Sequence, residues 1–243
     1  MQGIKKLLEK NPGLLRVESP DEKRGIRQRY EEALRYDKVE ELAKEYVSWG
    51  ANMPNWKVDH LTIEKNFNFG KTIAKEYAIN LLEIERLFNE VLPKYIGGGF
   101  LGFFISGIYR DMIGKDNVLR LNTMRYSASI SGLGCQHKCG RLEIISDKVY
   151  YVGMEMASGE IVVYGNVGNY LGKSMKGGRI YVDGNARNWV GAKMKGGCIL
   201  IKGNARDIVG EKMTGGEIII GGDAGYWIGD GATGGVIRVR DAK

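Results

Sequence analysis

The chain is poor in the side chains that most reactions depend on. Its 243 residues include only three cysteines and two histidines. Three thiols in a chain this long argue against a disulfide framework and for a reducing, cytoplasmic setting. With His60 and His137 as the only imidazoles, no Ser-His-Asp set can be assembled convincingly. Long apolar runs are lacking too. Residues 1–10 are lysine-rich and carry no apolar core or cleavage site, so no signal peptide is expected. One uncharged stretch, Tyr95–Ile108, is about 14 residues, short of the ~20 that span a bilayer. Five glycines (Gly97, Gly98, Gly99, Gly102, Gly107) interrupt it, and a buried segment is expected there, not a membrane span. Glycine-rich text later in the chain, such as Gly221-Gly222-Asp223-Ala224-Gly225, matches neither G-x-G-x-x-G between strand and helix nor a P-loop.

What the chain has in quantity is repetition. Four units of 19 residues begin at Gly159, Gly178, Gly197 and Gly216, and a fixed period of this length marks a solenoid. One column holds Leu142, Ile161, Ile180, Ile199, Ile218 and Ile237. Two positions on, another holds Ile144, Val163, Val182, Ile201, Ile220 and Val239. Paired β-branched residues at period two describe a strand with one buried face. Further inward columns follow: Val167, Ala186, Ala205 and Ala224; Val152, Leu171, Val190, Val209 and Ile228; and Met156, Met175, Met194 and Met213. Of 36 glycines, 25 lie from residue 120 onward, as the corners of a coil require. Asn166, Asn185, Asn204 and Asp223, each after a glycine, are expected to take left-handed turns. The spacing predicts a parallel β-helix of about six coils. In its first, atypical coil Thr123 and Arg125 stand in the apolar columns.

The run Val190-Gly191…Met194…Gly196-Gly197…Ile199…Ile201…Gly203-Asn204-Ala205 resembles the GXGXG family. That family includes the C subunit of formylmethanofuran dehydrogenase and the C-terminal domain of the glutamate synthase large subunit. The resemblance spans roughly residues 132–241. It implies a right-handed, single-stranded parallel β-helix that acts as a non-catalytic structural or assembly part of an oxidoreductase complex. It carries over no catalytic residue and no cofactor. Residues 1–119 resemble nothing in these relatives.

The fold class expected is therefore α+β: a helical region, 1–119, followed by the β-helix, 120–243. In the first part, residues 4–10 are expected to form a short helix. A second helix runs from about residue 20 to Gly50, with Ile26, Tyr30, Leu34, Val39, Leu42 and Tyr46 on one face. A third runs from about Thr72 to Leu92, with Ile73, Tyr77, Leu81, Ile84, Phe88 and Val91 as its stripe, and stops at Pro93.

Cys135-Gln136-His137-Lys138-Cys139 is the one sequence with metal-ligand chemistry. Cys135, His137 and Cys139 could offer three ligands to zinc or an iron–sulfur cluster, but a fourth is missing, and two reduced cysteines at a solenoid corner is the plainer reading. Of the net charge of +7, about +6 lies on residues 120–243. A basic band over residues 171–206 includes Arg187 beside Arg206. It could face an acidic protein partner, a phosphorylated cofactor on a neighbouring subunit or nucleic acid, or be ordinary solvated surface; nucleic acid is the least favoured, because no binding motif accompanies it. Tyr151, Tyr170, Trp189, Ile208 and Trp227 form an aromatic column adjoining an inward one. Val162, Tyr181, Leu200 and Ile219 lie between two inward columns. Alternation turns both outward, and such rows ask to be covered. The partners expected are other subunits of an enzyme complex or a second copy of the chain.

Overall fold

The protein, as seen in a computed structural model, is described over residues 38–50 and 60–240. The expected helix at 4–10 and the first part of the next one lie outside these residues. Helix α1 occupies residues 38–50, with Val39, Leu42, Ala43 and Tyr46 buried. Helix α2 is His60–Tyr77, and α3 is Leu81–Arg86. A π turn, Leu87–Val91, and a 3-10 turn, Leu92–Lys94, continue it. Helix α4 is Leu101–Tyr109. One continuous helix from Thr72 to Leu92 is therefore not what forms. Ala78 turns left-handed at φ 44°, and Asn80 restarts the chain with a capping box: its side chain accepts from Glu83 N while Glu83 accepts from Asn80 N. Asn-x-x-Glu was legible as a start signal, but the unbroken apolar stripe hid it. Ile73, Ile84, Phe88 and Val91 of that stripe are buried regardless.

Seven strands form one parallel sheet: β1 Val118–Asn122, β3 Arg141–Ile145, β5 Glu160–Tyr164, β6 Arg179–Asp183, β7 Cys198–Ile201, β8 Thr214–Ile220 and β9 Gly234–Val239. A short second sheet pairs β2, Ile130–Ser131, with β4, Val149–Tyr150, and single bridges extend it along Val167, Ala186, Ala205 and Ala224. The register is that of the columns: Leu142 pairs with Ile161, Ile161 with Ile180, Ile180 with Ile199, and Ile199 with Ile218. Each of these side chains is at most 1 % exposed, and Met156, Met175, Met194 and Met213 are at 0 %. Full burial of one such side chain contributes roughly 1.5–3 kcal/mol.

Two expectations are corrected in the solenoid. Leu119 and Leu121, not Thr123 and Arg125, fill the apolar columns of the first coil. They pair with Leu142 and Ile144, so this coil is longer than the 19-residue period. The asparagine column is not left-handed either, since none of Asn166, Asn185 and Asn204 has positive φ. Instead each side chain bridges to the next coil: Asn166 Oδ1 accepts from Asn185 N at 2.9 Å, Asn185 Oδ1 from Asn204 N and Asn204 Oδ1 from Asp223 N, both at 2.8 Å. The preceding glycines are there for room. A Cβ at Gly222 would lie 2.0 Å from Asn204 Oδ1.

The helices close the first end of the solenoid. Helix α4 is uncharged and buried along its whole length. Ser106 Oγ donates to Gly132 O at 2.9 Å and accepts from Cys135 N at 3.2 Å. On its other side α4 meets α2 backbone to backbone: a Cβ on Gly107 would lie 2.0 Å from Phe67 O, and one on Gly70 2.1 Å from Phe104 O. The outer edge of β1 is served by side chains. Glu85 accepts from Arg120 N at 2.6 Å, and Asn89 accepts from Asn122 N at 2.7 Å and donates to Arg120 O at 2.9 Å. Residues 97–99 pair along the second sheet, with Gly99 bridging Ile130. Among the described residues no helix is long and apolar enough to cross a membrane.

Candidate partner surface

The aromatic column occupies a corner of each coil, not a strand. Tyr151, Tyr170, Trp189, Ile208 and Trp227 all have φ between 54° and 64°, a left-handed conformation that costs an L-residue roughly 1–2 kcal/mol. Period-two alternation therefore does not set their direction; the corner does. Their rings compensate in part by stacking at the coil spacing: Tyr151 on Tyr170 with centroids 4.7 Å apart, and Tyr170 on Trp189 at 5.0 Å. Lys173 Nζ sits 5.0 Å from the Tyr170 centroid and 5.8 Å from that of Tyr151, so the row does have a charged neighbour. Tyr151 also tilts against Phe103 of α4. Tyr151, Tyr170 and Trp189 are half-buried, whereas Trp227, in the last coil, is 67 % exposed and Tyr226 78 %.

On the sheet, the outward column pairs in register as Glu143, Val162, Tyr181, Leu200, Ile219 and Arg238. Val162 is buried, while Tyr181, Leu200 and Ile219 are half-buried. Ion pairs frame them: Arg141 with Glu143 and Glu160, and Lys202 with Asp183 at 2.7 Å. Exposed Ile145 and Tyr164 widen the apolar strip. The described helices sit on the first coil and do not cover Tyr181, Leu200 and Ile219.

The basic band does not stay together. Lys173 lies on the aromatic corner, Lys176 approaches Glu155 at 3.9 Å, and Lys202 pairs across the sheet face. Arg187 and Arg206 do stand in adjacent coils and line an open groove of about 670 Å³ along the asparagine ladder. Lys148 lines it too, and Asp147, Asp207 and Asp223 share it, so it offers three cations interspersed with three acids and no continuous track for a phosphate backbone.

Cys135, His137 and Cys139 do not converge on one space. Cys135 is buried, its thiol pushed up to about 12 by loss of solvent, and borders a cavity of about 290 Å³ with Lys71, Arg110 and Glu155. Cys139 borders a different recess, with Asn117 and Ser158. Burial holds the His137 ring below its ordinary pKa; its Nε2 lies 3.2 Å from Gly140 O, and its Nδ1 has no partner. Among the described residues no group of three or more His, Cys, Asp or Glu side chains is placed to hold a metal ion. Replacing both Cys135 and Cys139 by serine is expected to leave metal content unchanged. Stoichiometric zinc or iron in the parent protein, lost in the double variant by elemental analysis, would reinstate a metal centre.

No curated protein matches the chain. Residues 129–243, just under half its length, match the GXGXG motif family. The match begins where the regular coils begin, while the solenoid itself starts at β1, before it. The likeness to the GXGXG motif family is carried by these repeated coils.

Proposed function

We propose that this protein is a non-catalytic structural and assembly subunit of a larger oxidoreductase complex. In that role its solenoid supplies a rigid surface, and other subunits hold the cofactors. The supporting observation is the apolar column Tyr181, Leu200 and Ile219, bordered by Ile145 and Tyr164 and left only half-buried, with the described helices on the first coil. A face of this kind, ringed by ion pairs, has the apolar centre and polar rim of a subunit interface. The part played by the related domains of formylmethanofuran dehydrogenase and glutamate synthase agrees with this reading. The partner surface comprises Tyr151, Tyr170, Trp189, Trp227, Tyr181 and Leu200, with Arg187 and Arg206 available to acidic groups at its margin.

Purification of the tagged chain from its own cells tests the proposal. A subunit bearing a flavin, an iron–sulfur cluster or a molybdenum cofactor is expected to accompany it in fixed stoichiometry, visible in the absorbance spectrum and by mass spectrometry. Leu200→Glu is expected to release that subunit while the variant keeps the parent's circular dichroism. Recovery of the chain free of any cofactor-bearing partner, or redox turnover by the chain alone, would refute the assembly role.

A further inference from the structure

The two ends of the solenoid differ in kind. At the first, Glu85, Asn89 and residues 97–99 satisfy the strand edges and α4 covers the core. At the other, β9 has no strand beyond it among the described residues, and every column loses its cover there. Val209 is 0 % exposed but Ile228 43 %, Met213 is buried but Ala232 exposed, and Ile218 is buried but Ile237 only half so. The backbone has the same deficit. Ala205, Ile208 and Lys212 donate to Asp223, Tyr226 and Asp230 of the next coil; the equivalent N–H groups of Ala224, Trp227 and Gly231 would need one coil more.

The free edge has a definite code. Arg240 donates its N–H back to Ile220 O of β8. Since backbone groups alternate along a strand, Val236 and Arg238 also face β8. Ile237 and Val239 turn their N–H and C=O groups to the open side, and Gly235, left-handed at φ 92°, turns its C=O there, as Gly197 does toward Glu217 N.

We propose that a second copy of the chain stacks end to end on this edge, β9 against β9, antiparallel about a two-fold axis through Ile237. In that register Ile237 faces Ile237 of the second copy, and Gly235 faces Val239. Outward-directed backbone groups meet outward-directed ones, and inward side chains meet inward ones, so the core runs through both copies. Arg238, held by Glu217 on β8, falls opposite Val236 and not opposite its own copy. A slip centred on residue 238 would set the two arginines against each other. Head-to-tail stacking, which would grow an open fibre, is blocked by the helices on the first coil. The two-fold dimer pairs the open edge of β9 in each copy and so covers the kind of unpaired edge that sheet proteins otherwise protect. It also places the Tyr226–Trp227 corner of each copy at the junction.

The purified full chain tests this without any redox partner. Light scattering after size exclusion, run over a concentration series, is expected to give twice the chain mass. Val236→Lys sets a lysine against the partner's Arg238 at two symmetry-related contacts and is expected to weaken dimerisation about tenfold. Val236→Glu, facing the same arginine, keeps it at least as tight. Residue 236 lies on the outer, exposed side of β9, opposite Glu217 in register, so both variants keep the parent's circular dichroism, the glutamate variant melting slightly lower and the lysine variant no lower. A monomeric parent at micromolar concentration overturns the proposal, as does a dimer indifferent to Val236→Lys. A dimer broken by Leu200→Glu instead assigns the contact to the sheet face and overturns it equally.

Discussion

Ile199→Asp is expected to abolish the folded solenoid, while Lys193→Glu leaves it nearly unchanged. Ile199 is fully buried on β7, between Ile180 and Ile218 in register. An aspartate there has no cation within the column and no water to solvate it. Burying a polar group without a partner costs roughly 2–7 kcal/mol, and an unpaired charge more; a domain has about 5–15 kcal/mol in all. The ladder makes the loss cooperative, because each coil's core is completed by its neighbours. Lys193 is exposed at a left-handed corner. Its replacement by glutamate keeps whatever strain the corner holds and alters only a solvated charge, an effect within about 0.5 kcal/mol. Thermal melts followed by circular dichroism compare the two, and equal midpoints would show that the column does not carry the fold.

Gly107→Val is expected to destabilise the cap severely. The helices α2 and α4 approach so closely that a Cβ at residue 107 would lie 2.0 Å from Phe67 O and 3.2 Å from Lys71 N. Neither obstacle is a side chain that can turn aside; both are helix backbone. Relief requires α4 to move, and α4 is held on its far side by Ser106 against Gly132 and Cys135. Overpacking of this kind costs about 1–3 kcal/mol and more where the neighbours are rigid. Gly99→Ala is the control. A Cβ there meets nothing within 4 Å, so only the left-handed backbone penalty of roughly 1–2 kcal/mol applies. Urea titration should rank Gly107→Val well below Gly99→Ala. A smaller or equal loss at Gly107 would mean that the two helices are not in tight contact.

The amino-acid sequence determined the solenoid. A period of 19 residues, repeated without a gap, aligns identical side chains at the strand spacing, and Ile161, Ile180, Ile199 and Ile218 can then do nothing but form a ladder. Repetition makes the local pattern and the long-range contact the same information, so the columns named both strands and core. Where repetition stops, so does that legibility. The first coil is longer than the period, so counting back by 19 landed on Thr123 and Arg125 while the structure uses Leu119 and Leu121. The stripe from Ile73 to Val91 is apolar throughout, and only the turn at Ala78 and the cap at Asn80 divide it. The aromatic corner was visible as a row, but its direction was not, because left-handed backbone breaks the alternation from which direction is read. Tertiary structure alone decided what covers what. Helix α4 seals the first coil, Cys135 and Cys139 border separate spaces, and among the described residues nothing covers the sheet face or the coil that ends in β9. Those outcomes depend on where the helical region docks, and docking is a contact between segments that share no period.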